Sequence, residues 1–585
     1  LKVLWVGIAF AVSKAFAEYS TSGLENPLTH LLLVVFLCVY FLTPHSSRRL
    51  LFLSLLAGLL CLNRLDCLMM IAPVLAYEVW RGGLRPSWRP LVFGLAPLAV
   101  WSLFSTFYYG TPLPNTAYAK LGTGISRAAA FDLGVSYYTS SLLLDPVTLC
   151  TIGAALMLVA VTGQRDECVV AVGVVFSGLY IVWIGGEFMS GRFFTASYLV
   201  AVVLVCRLMP ARPALLGGAL AATVILGSVS PVSPLRVRAA SYEGDLAIST
   251  DGIVDERGFY AGDCGLWAVI ENGGEIRHVF ANLGRKWKAM NPEVAMNETL
   301  GFAGYFIGPD VHLVGRFGLS DAFLARLPAS GFEWRPGHYT RSFPQGYVGT
   351  LWKDENRIED TNLAAFYDKI SLVVGADLFS PGRLSALVGL NLGSYEYLVA
   401  HLDERYRMMR EATWAEVESE VGVTHESDVD TLLDAADGFL LSGRSDLAYL
   451  VWSTAFEREP DAAYVLEVCN RICLDLIVTD AGMLATETLI RVTKEGRGGS
   501  DLQHTLAIGH FQQAKFGRAA EAARPGITSE PLHLSSVKVV ADLLRIFRMP
   551  EAAGYYRAVL SLDPDNEEAR TELSMIESEA ERSAN

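Results

Sequence analysis

The sequence has 585 residues, 52% hydrophobic and only 19% charged, which is enough chain for roughly three or four domains of about 150 residues each. Its charge is uneven: the part through Pro234 holds 14 Lys or Arg against 9 Asp or Glu, whereas the whole chain has a net charge of −15. This distribution excludes one uniform globule and favours a basic apolar part followed by an acidic, water-soluble part. The nine Cys form no CxxC pair, so a zinc or redox site is not indicated, and no charge run indicates nucleic-acid binding.

Apolar segments recur through the first 235 residues. A membrane-spanning helix needs roughly 17–25 apolar residues, and eight successive apolar segments would leave a soluble helical core without a polar face. We therefore expect a polytopic α-helical membrane domain over residues 1–235, in which the shorter segments are tilted, half-inserted or paired across a re-entrant bend. The segments lie at 27–43, 49–62, 66–80, 90–109, 146–163, 167–185, 193–209 and 213–231, with a partial one at 1–17.

The loops between these segments differ in basic charge. By the positive-inside rule, the more basic set of loops is expected in the cytoplasm, and the other loops and the C-terminal half on the outer face of a multi-pass inner (plasma) membrane protein. The basic set contains Arg48, Arg49, Arg81, Arg85, Arg89, Arg165, Arg207 and Arg212, and the other set contains Arg64, Lys120, Arg127 and Arg192.

The outer loops carry the candidate functional residues. Four separated loops each place ionisable side chains beside Gly, Asn, Thr or aromatic residues, and ionisable residues at a membrane boundary are often functional. Each residue taken alone could equally be structural, but the set is expected to converge near one plane. The set comprises Glu18, Glu25, Arg64, Asp66, Lys120, Glu187 and Arg192.

Carboxylates and Arg at the edge of a bilayer suit a lipid-linked phosphate substrate. The lipid tail would stay in the membrane while Arg or Lys pairs with the phosphate. A carboxylate near an acceptor hydroxyl could act as a general base for displacement at a sugar carbon. These residues alone do not distinguish glycosyl transfer from transport.

Six motifs in this order resemble one known family, the membrane-embedded C-type glycosyltransferases that use polyprenyl-phosphate sugars. Within that family the chain is most similar to the mycobacterial terminal β-arabinofuranosyltransferases, over roughly residues 1–350. The motifs are TSGLEN (21–26), NRLD (63–66), YYGTPLPNTAYAK (108–120), GGEFMSGR (185–192), GIVDERGFYA (252–261) and RFGLSDAFLARLP (316–328).

The resemblance implies an inverting transfer of arabinofuranose or a similar sugar from a polyprenyl-phosphate donor to a cell-envelope glycan on the outer face. It implies no cofactor, and it leaves the use of a divalent cation open; no metal ligands are predicted. Matched onto this sequence, the residues fall into three predicted roles. They are Glu187, Asp66 and Glu25 as catalytic or sugar-shaping carboxylates, Arg64, Lys120 and Arg192 for the donor phosphate, and Glu18, Asn115 and Tyr109 for the sugar or acceptor.

The sequence departs from the family pattern in two places. The family carries an acidic pair in its first outer loop, which supplies the presumed base, and no such pair precedes Leu1. We expect the corresponding helix and loop to be missing from this chain, which as given should then be inactive. Leu65 and Asp66 stand where the family tends to have Pro and Glu, which leaves the exact substrate open.

The C-terminal half divides by pattern into two regions. Residues 236–425 mix Gly, aromatics and short apolar runs, which favours an outer-face α/β or α+β domain. Its WRPGHY segment (334–339) is either a packed loop or a contact for a glycan acceptor.

Residues 426–585 have helical periodicity and resemble an α-helical tetratricopeptide-like repeat domain. The clearest unit is 552–570, with weaker echoes at 445–461 and 516–526, and the Asp-Pro or Glu-Pro positions of the first and last units are about three repeats of 34 residues apart. Such repeats bind peptides or partner proteins, whereas a plain helical bundle would only cap the outer domain.

Three functional hypotheses follow. The first is a lipid-phosphosugar glycosyltransferase whose repeats recruit a partner or polymer. The second is a transporter, although transporter sites lie mid-membrane and the polar residues here concentrate in outer loops. The third is a non-catalytic membrane scaffold that presents the helical repeats.

Overall fold

The computed structural model describes most of the chain, and that part is mostly helical, at 74%. The expected boundary at residues 235–236 lies outside the described residues. The described residues are 1–230, 232–234, 252–290, 292, 294–297, 300–329, 337–339, 341, 344, 346–353, 355–402, 413–441, 444–478, 482–493, 500–512, 522–523, 534, 537–538, 540–541 and 552–584.

The apolar segments of the first part form helices close to their expected bounds. Two further helices differ from the expectation: α7 forms mostly within the predicted loop at 108–120, and polar residues of α8 interrupt its apolar pattern. The helices are α1 (Lys2–Val12), α2 (Lys14–Tyr19), α3 (Asn26–Leu42), α4 (Ser47–Asn63), α5 (Leu68–Gly82), α6 (Leu84–Tyr109), α7 (Asn115–Leu121), α8 (Arg127–Leu144), α9 (Pro146–Thr162), α10 (Arg165–Ile184), α11 (Phe194–Leu208) and α12 (Pro213–Val229).

Local chemistry explains where these helices begin and end. The hydroxyl of Ser46 caps α4 by accepting a hydrogen bond from the backbone amide of Arg49. Helix α9 begins with Pro146, whose fixed φ suits a first helical position, and Asp145 caps it. Gly83 adopts φ +81° between α5 and α6, a conformation that L side chains rarely take.

Only some of these helices are long enough to cross a membrane alone. By length and composition, α6 and α10 qualify, and α8 with α9 would qualify as one broken span bent by 107°. The remaining apolar helices have 17 residues or fewer, and a 17-residue helix is about 25 Å long. The described part of the chain therefore contains two or three helices with the length and apolarity of a membrane span.

Charged side chains collect at the two ends of the helical bundle. Helices α4, α5, α10 and α11 each run from one group to the other, so the two groups lie at opposite ends. At one end Glu78 accepts from Arg49 at 2.8 Å and lies 2.9 Å from His45, and Arg207 pairs with Glu167 at 2.8 Å. The other end contains Glu25, Arg64, Asp66, Lys120, Glu187 and Arg192.

The middle region is helical, with little sheet. The sequence predicted an α/β or α+β domain, but the only sheet among the described residues is one parallel pair of three-residue strands. These are β1 (Val294–Met296) and β2 (His312–Val314), and the helices are α13 (Glu256–Cys264), α14 (Leu266–Glu271), α15 (Val279–Met290), α16 (Gly301–Ile307), α17 (Tyr347–Lys353), α18 (Thr361–Val374) and α19 (Arg383–Asn391).

The C-terminal region is helical: helices from Trp414 to Gln512 share a large apolar core, and the last two helices contribute to a smaller cluster. The unit predicted at 552–570 forms a helical hairpin, while most of the echo at 516–526 lies outside the described residues, so the repeat assignment stays a prediction. The core includes Val417 of the first helix and the buried Trp452. The helices are α20 (Trp414–Val421), α21 (Val429–Leu441), α22 (Ser445–Arg458), α23 (Ala463–Val478), α24 (Gly482–Thr493), α25 (Ser500–Gln512), α26 (Ala552–Leu562) and α27 (Glu567–Ala584).

Close packing of α5 against α10 generates a stability prediction. A Cβ at Gly173 of α10 would lie 2.0 Å from the carbonyl oxygen of Met70 in α5, so Gly173→Ala must push two helices apart. We expect a loss of about 1–3 kcal/mol, the usual cost of overpacking, measured as a lower melting temperature of the detergent-solubilised protein. Gly153→Ala in α9 is the matched control, because a Cβ there meets no atom within 4 Å. Equal melting temperatures for the two variants would contradict this packing.

Candidate functional site

Four loops at one end of the bundle bring six predicted site residues together. Glu25 directly precedes α3, and Arg64 and Asp66 occupy the tight turn between α4 and α5. Lys120 lies in the short helix α7. Glu187 and Arg192 lie in the loop between α10 and α11. Six of the seven residues predicted to converge are thus together in the structure, whereas Glu18 lies in a separate cluster.

These six side chains form one continuous ion-pair network. Arg192 is at its centre: it donates to Glu187 at 2.8 Å and to Glu25 at 2.6 Å. On one side Lys120 lies 3.4 Å from the same Glu187 oxygen. On the other side Arg64 lies 3.6 Å from Glu25 and completes the chain of charges. Three cations therefore alternate with three carboxylates, and the last of these is Asp66.

The Arg64 guanidinium is held rigidly. Its Nε and one terminal nitrogen donate to the two oxygens of Asp66 at 3.1 and 2.7 Å, a bidentate geometry that is both strong and directional. The guanidinium also lies 5.1 Å from the centre of the Phe193 ring. Arg64 is buried, so these contacts compensate for the loss of water around its charge.

Two polar atoms of the network have no protein partner. The Oε2 atom of Glu187 and the Nε atom of Arg192 are buried and make no hydrogen bond with any residue that the structure describes. Lys120 is the most accessible member, with 32% of its side chain exposed. A ligand that reaches the network would meet the Lys120 ammonium first and could then satisfy the unused acceptor and donor behind it.

A later part of the chain holds α7 in place. The buried Arg341 donates to the carbonyl oxygen of Ala119 at 2.6 Å, and the backbone amide of Ala329 donates to Thr123 at 2.9 Å. Gly337, in the predicted WRPGHY segment, lies so close that a Cβ there would be 3.4 Å from Lys120 Nζ. The described half of that segment, residues 337–339, is therefore packed beside the network; its first half, 334–336, is outside the described residues.

None of the three predicted sugar or acceptor residues belongs to the network. The amide of Asn115 donates to the carbonyl oxygens of Gly318, Leu319 and Asp321, so it fastens α7 to a later loop. Tyr109 ends α6 with its ring half exposed and edge-on to Tyr108 at 4.8 Å. Their predicted binding roles stay predictions.

Glu18, the third, belongs to a second buried charge cluster. Lys14 donates to Glu18 at 2.6 Å and to Asp255 at 2.9 Å, and Arg257 lies 3.8 Å from Glu18. Asp255 reaches this position because Val254 exchanges backbone hydrogen bonds with the 188–190 part of the network loop. The second cluster thus supports the loop that carries Glu187 and Arg192.

Sequence reasoning missed Lys14 and Asp255 as members of this cluster. Lys14 stands inside the apolar run 1–17, where it was counted as part of a partial span. Asp255 lies in the GIVDERGFYA motif, which was noted for its resemblance but given no role. A Lys inside an apolar run is itself a signal, because a buried ammonium requires a carboxylate partner.

The pKa values of Glu18 and Glu25, one from each cluster, are shifted in opposite directions. Burial raises the pKa of Glu18 to about 7, against the opposing charge of Lys14 and with the help of the charge on Asp255. At Glu25 burial also raises the pKa, but the charges of Arg192 and Arg64 and a backbone hydrogen bond outweigh it and hold that pKa below its ordinary value.

Among the described residues, no group of three or more His, Cys, Asp or Glu side chains is arranged to hold a metal ion. In the network each carboxylate faces a Lys or Arg, whose charge would repel a cation. Comparison of the chain with protein-family models, with curated proteins and with solved structures found no match.

The raised pKa of Glu18 predicts a pH dependence of stability. Because the folded state favours the protonated carboxyl, its contribution is present below the ordinary pKa of 4.5 and is lost as pH rises through about 7. We expect the melting temperature of the parent protein to fall more between pH 5 and pH 8 than that of Glu18→Gln. Glu355→Gln, at an exposed site, is the control and should retain the parental dependence. Parallel curves for the parent and Glu18→Gln would refute this assignment.

Proposed function

We propose that the protein is a membrane glycosyltransferase that moves a sugar from a polyprenyl-phosphate donor to a cell-envelope glycan. The observation that carries this proposal is the network of three cations and three carboxylates at one end of an apolar helical bundle. The order of motifs that resemble the C-type arabinofuranosyltransferases supports arabinofuranose as the sugar.

Membrane placement is the first part of the proposal. Apolar side chains cover the outside of the bundle, and only 11% of the apolar stretch of α6 is buried within the protein. Arg81 near the end of α5, and Arg85 and Arg89 near the start of α6, lie at the end opposite the network. The positive-inside rule then places the network and the C-terminal regions on the outer face of a multi-pass protein.

The cations would bind the donor phosphate. Lys120 keeps two N–H groups beyond its long contact with Glu187, and Arg192 keeps its Nε donor. A phosphate arriving with its lipid tail in the bilayer would attract both side chains more strongly than a carboxylate already shared between them. Arg64, held by Asp66, would supply a fixed positive charge behind the phosphate.

The carboxylates would then have different roles. Asp66 and Glu25 are engaged by Arg64 and Arg192, so they position these cations. Glu187 has an uncommitted oxygen, which would accept the proton of the acceptor hydroxyl. The hydroxyl oxygen would at the same time attack the anomeric carbon of the sugar. The bond from that carbon to the phosphate oxygen breaks, and the polyprenyl phosphate leaves with the electron pair, stabilised by the cations.

The C-terminal helices suggest where a partner or the growing polymer would be recruited. Helices α20–α25 share an apolar core, and α26 and α27 contribute to a second, smaller apolar cluster. If 426–585 acts only in recruitment, its deletion should abolish partner binding while transfer to a short soluble acceptor remains.

A transfer assay on the full-length protein in membranes tests the role of the network. We expect Lys120→Met and Glu187→Gln each to lower kcat/KM roughly ten- to a hundredfold, because each removes a charge-assisted hydrogen bond of about 1.5–3 kcal/mol. The Lys120 variant should act mainly on the KM for the donor, and the Glu187 variant mainly on kcat.

Arg207→Gln provides the matched control for Arg192→Gln. Both side chains donate to a glutamate at 2.8 Å, but Arg207 pairs with Glu167 at the opposite end of the bundle. We expect Arg192→Gln to lose transfer and Arg207→Gln to keep it at equal membrane abundance. Unchanged transfer in the Glu187 and Arg192 variants would remove the proposal and favour a non-catalytic scaffold.

A further inference from the structure

Helix α19 exposes aliphatic side chains on one face. Ala386 and Leu387 pack against Val373 of α18 in a small buried cluster. The exposed face presents Leu384 and Val388, followed by Leu392 directly after the helix, at spacings of four residues, with Leu392 76% exposed. Exposed apolar side chains grouped in this way are typical of a surface that contacts an apolar neighbour.

The charge of α19 does not serve as a polar face. Arg383, the one charged residue in the helix, is buried, and its guanidinium donates to the carbonyl oxygens of Val373, Leu378 and Tyr108. Each of these bonds turns the side chain away from solvent. The outward surface of the helix therefore consists of aliphatic side chains together with Ser385 and Asn391.

The same bonds fix α19 beside the end of α6. Arg383 reaches the carbonyl oxygen of Tyr108 at 3.1 Å, and Asn391 donates to that of Gly110 at 2.8 Å. Phe379, just before α19 and 87% exposed, has its ring 6.0 Å from that of Phe107. Helix α19 thus lies at the level where α6, the longest apolar helix described, ends.

Exposed apolar side chains continue from α6 onto α19 and past it. At the end of α6, Phe104, Phe107, Tyr108 and Tyr109 are all exposed, and beyond α19 Tyr397 is exposed as well. Tyr and other aromatic residues are typical of the boundary between hydrocarbon and water, where the ring is buried and the hydroxyl stays wet. The ring contact between Phe107 and Phe379 joins the exposed residues of α6 to those beside α19.

We propose that α19, with Phe379 and Tyr397, is an interfacial anchor that inserts its exposed face into the outer leaflet of the membrane crossed by α6. The occupant of this face is the acyl and headgroup region of the lipid. The continuity with α6 favours lipid over a protein, because a partner would have to cover α19 while leaving the adjoining α6 surface to lipid. The anchor rests on the membrane placement proposed above and does not depend on sugar transfer.

Such an anchor would hold the middle region against the bilayer. Residues 318–329 and Arg341, which fasten α7 and hence Lys120, belong to this same region. An amphipathic element whose apolar face lies in the headgroup and acyl boundary would keep that attachment at a fixed height above the membrane. Lys120 would then sit at the level of a lipid-linked phosphate.

Photocrosslinking from single positions tests the anchor in native membranes. A diazirine amino acid replaces Leu384 or Leu392 in the full-length protein, and the adducts are identified by mass spectrometry. Leu103, exposed on α6 six residues before the helix ends, is the lipid-facing reference, and Leu441, 91% exposed at the end of α21, is the solvent-facing reference. All four positions are exposed, so the replacements should leave the fold intact.

We expect lipid adducts at positions 384 and 392 in yields comparable with those at 103, and only water-quenched product at 441. Water-quenched product at 384 and 392 would overturn the anchor, and protein adducts there would overturn it in favour of a partner-binding face. Absence of lipid adducts at 103 would overturn the membrane placement on which the anchor rests. Loss of sugar transfer with lipid adducts retained would leave the anchor standing and count against the proposed activity alone.

Discussion

Buried charges that must neutralise one another hold the site together. Arg192 bridges Glu187 and Glu25, and through Glu25 it connects to Arg64 and Asp66. Removing one member would leave a desolvated charge without its partner, which commonly costs about 3–5 kcal/mol. Four loops that are distant in the chain are thereby held at one level, and each depends on the others for its position.

The need to neutralise buried charges also explains why residues outside the helical bundle hold the network loops in place. The loop with Glu187 and Arg192 pairs with Val254, which places Asp255 against Lys14 in a second buried cluster. Helix α7, which carries Lys120, is fastened by Arg341 to the middle region. The middle region therefore completes the charged end of the bundle, and a functional site there belongs to both parts of the chain.

The two ends of the bundle differ in how their charges are used. At the opposite end, Arg49 and His45 both contact the buried Glu78, and no carboxylate there is shared between two Arg side chains in the part that the structure describes. At the network end, Glu25 is shared between two Arg side chains, and Glu187 keeps one oxygen unused by the described residues. This asymmetry is the physical basis for the proposal that the network end, and not the opposite end, binds a ligand.

Sequence by itself determined the helical character of the first part, the approximate bounds of its apolar helices and the convergence of Glu25, Arg64, Asp66, Lys120, Glu187 and Arg192. Those features follow from the lengths of the apolar runs and from the alternation of successive loops between the two ends of the bundle. Both can be read along the sequence without knowledge of the three-dimensional packing. Tertiary structure alone decided that Glu18 joins Lys14 and Asp255, that Asn115 fastens α7, and that α19 lies beside the end of α6. These pairings join residues up to 281 positions apart, and which buried charge or carbonyl meets which partner depends on three-dimensional packing that no local pattern encodes.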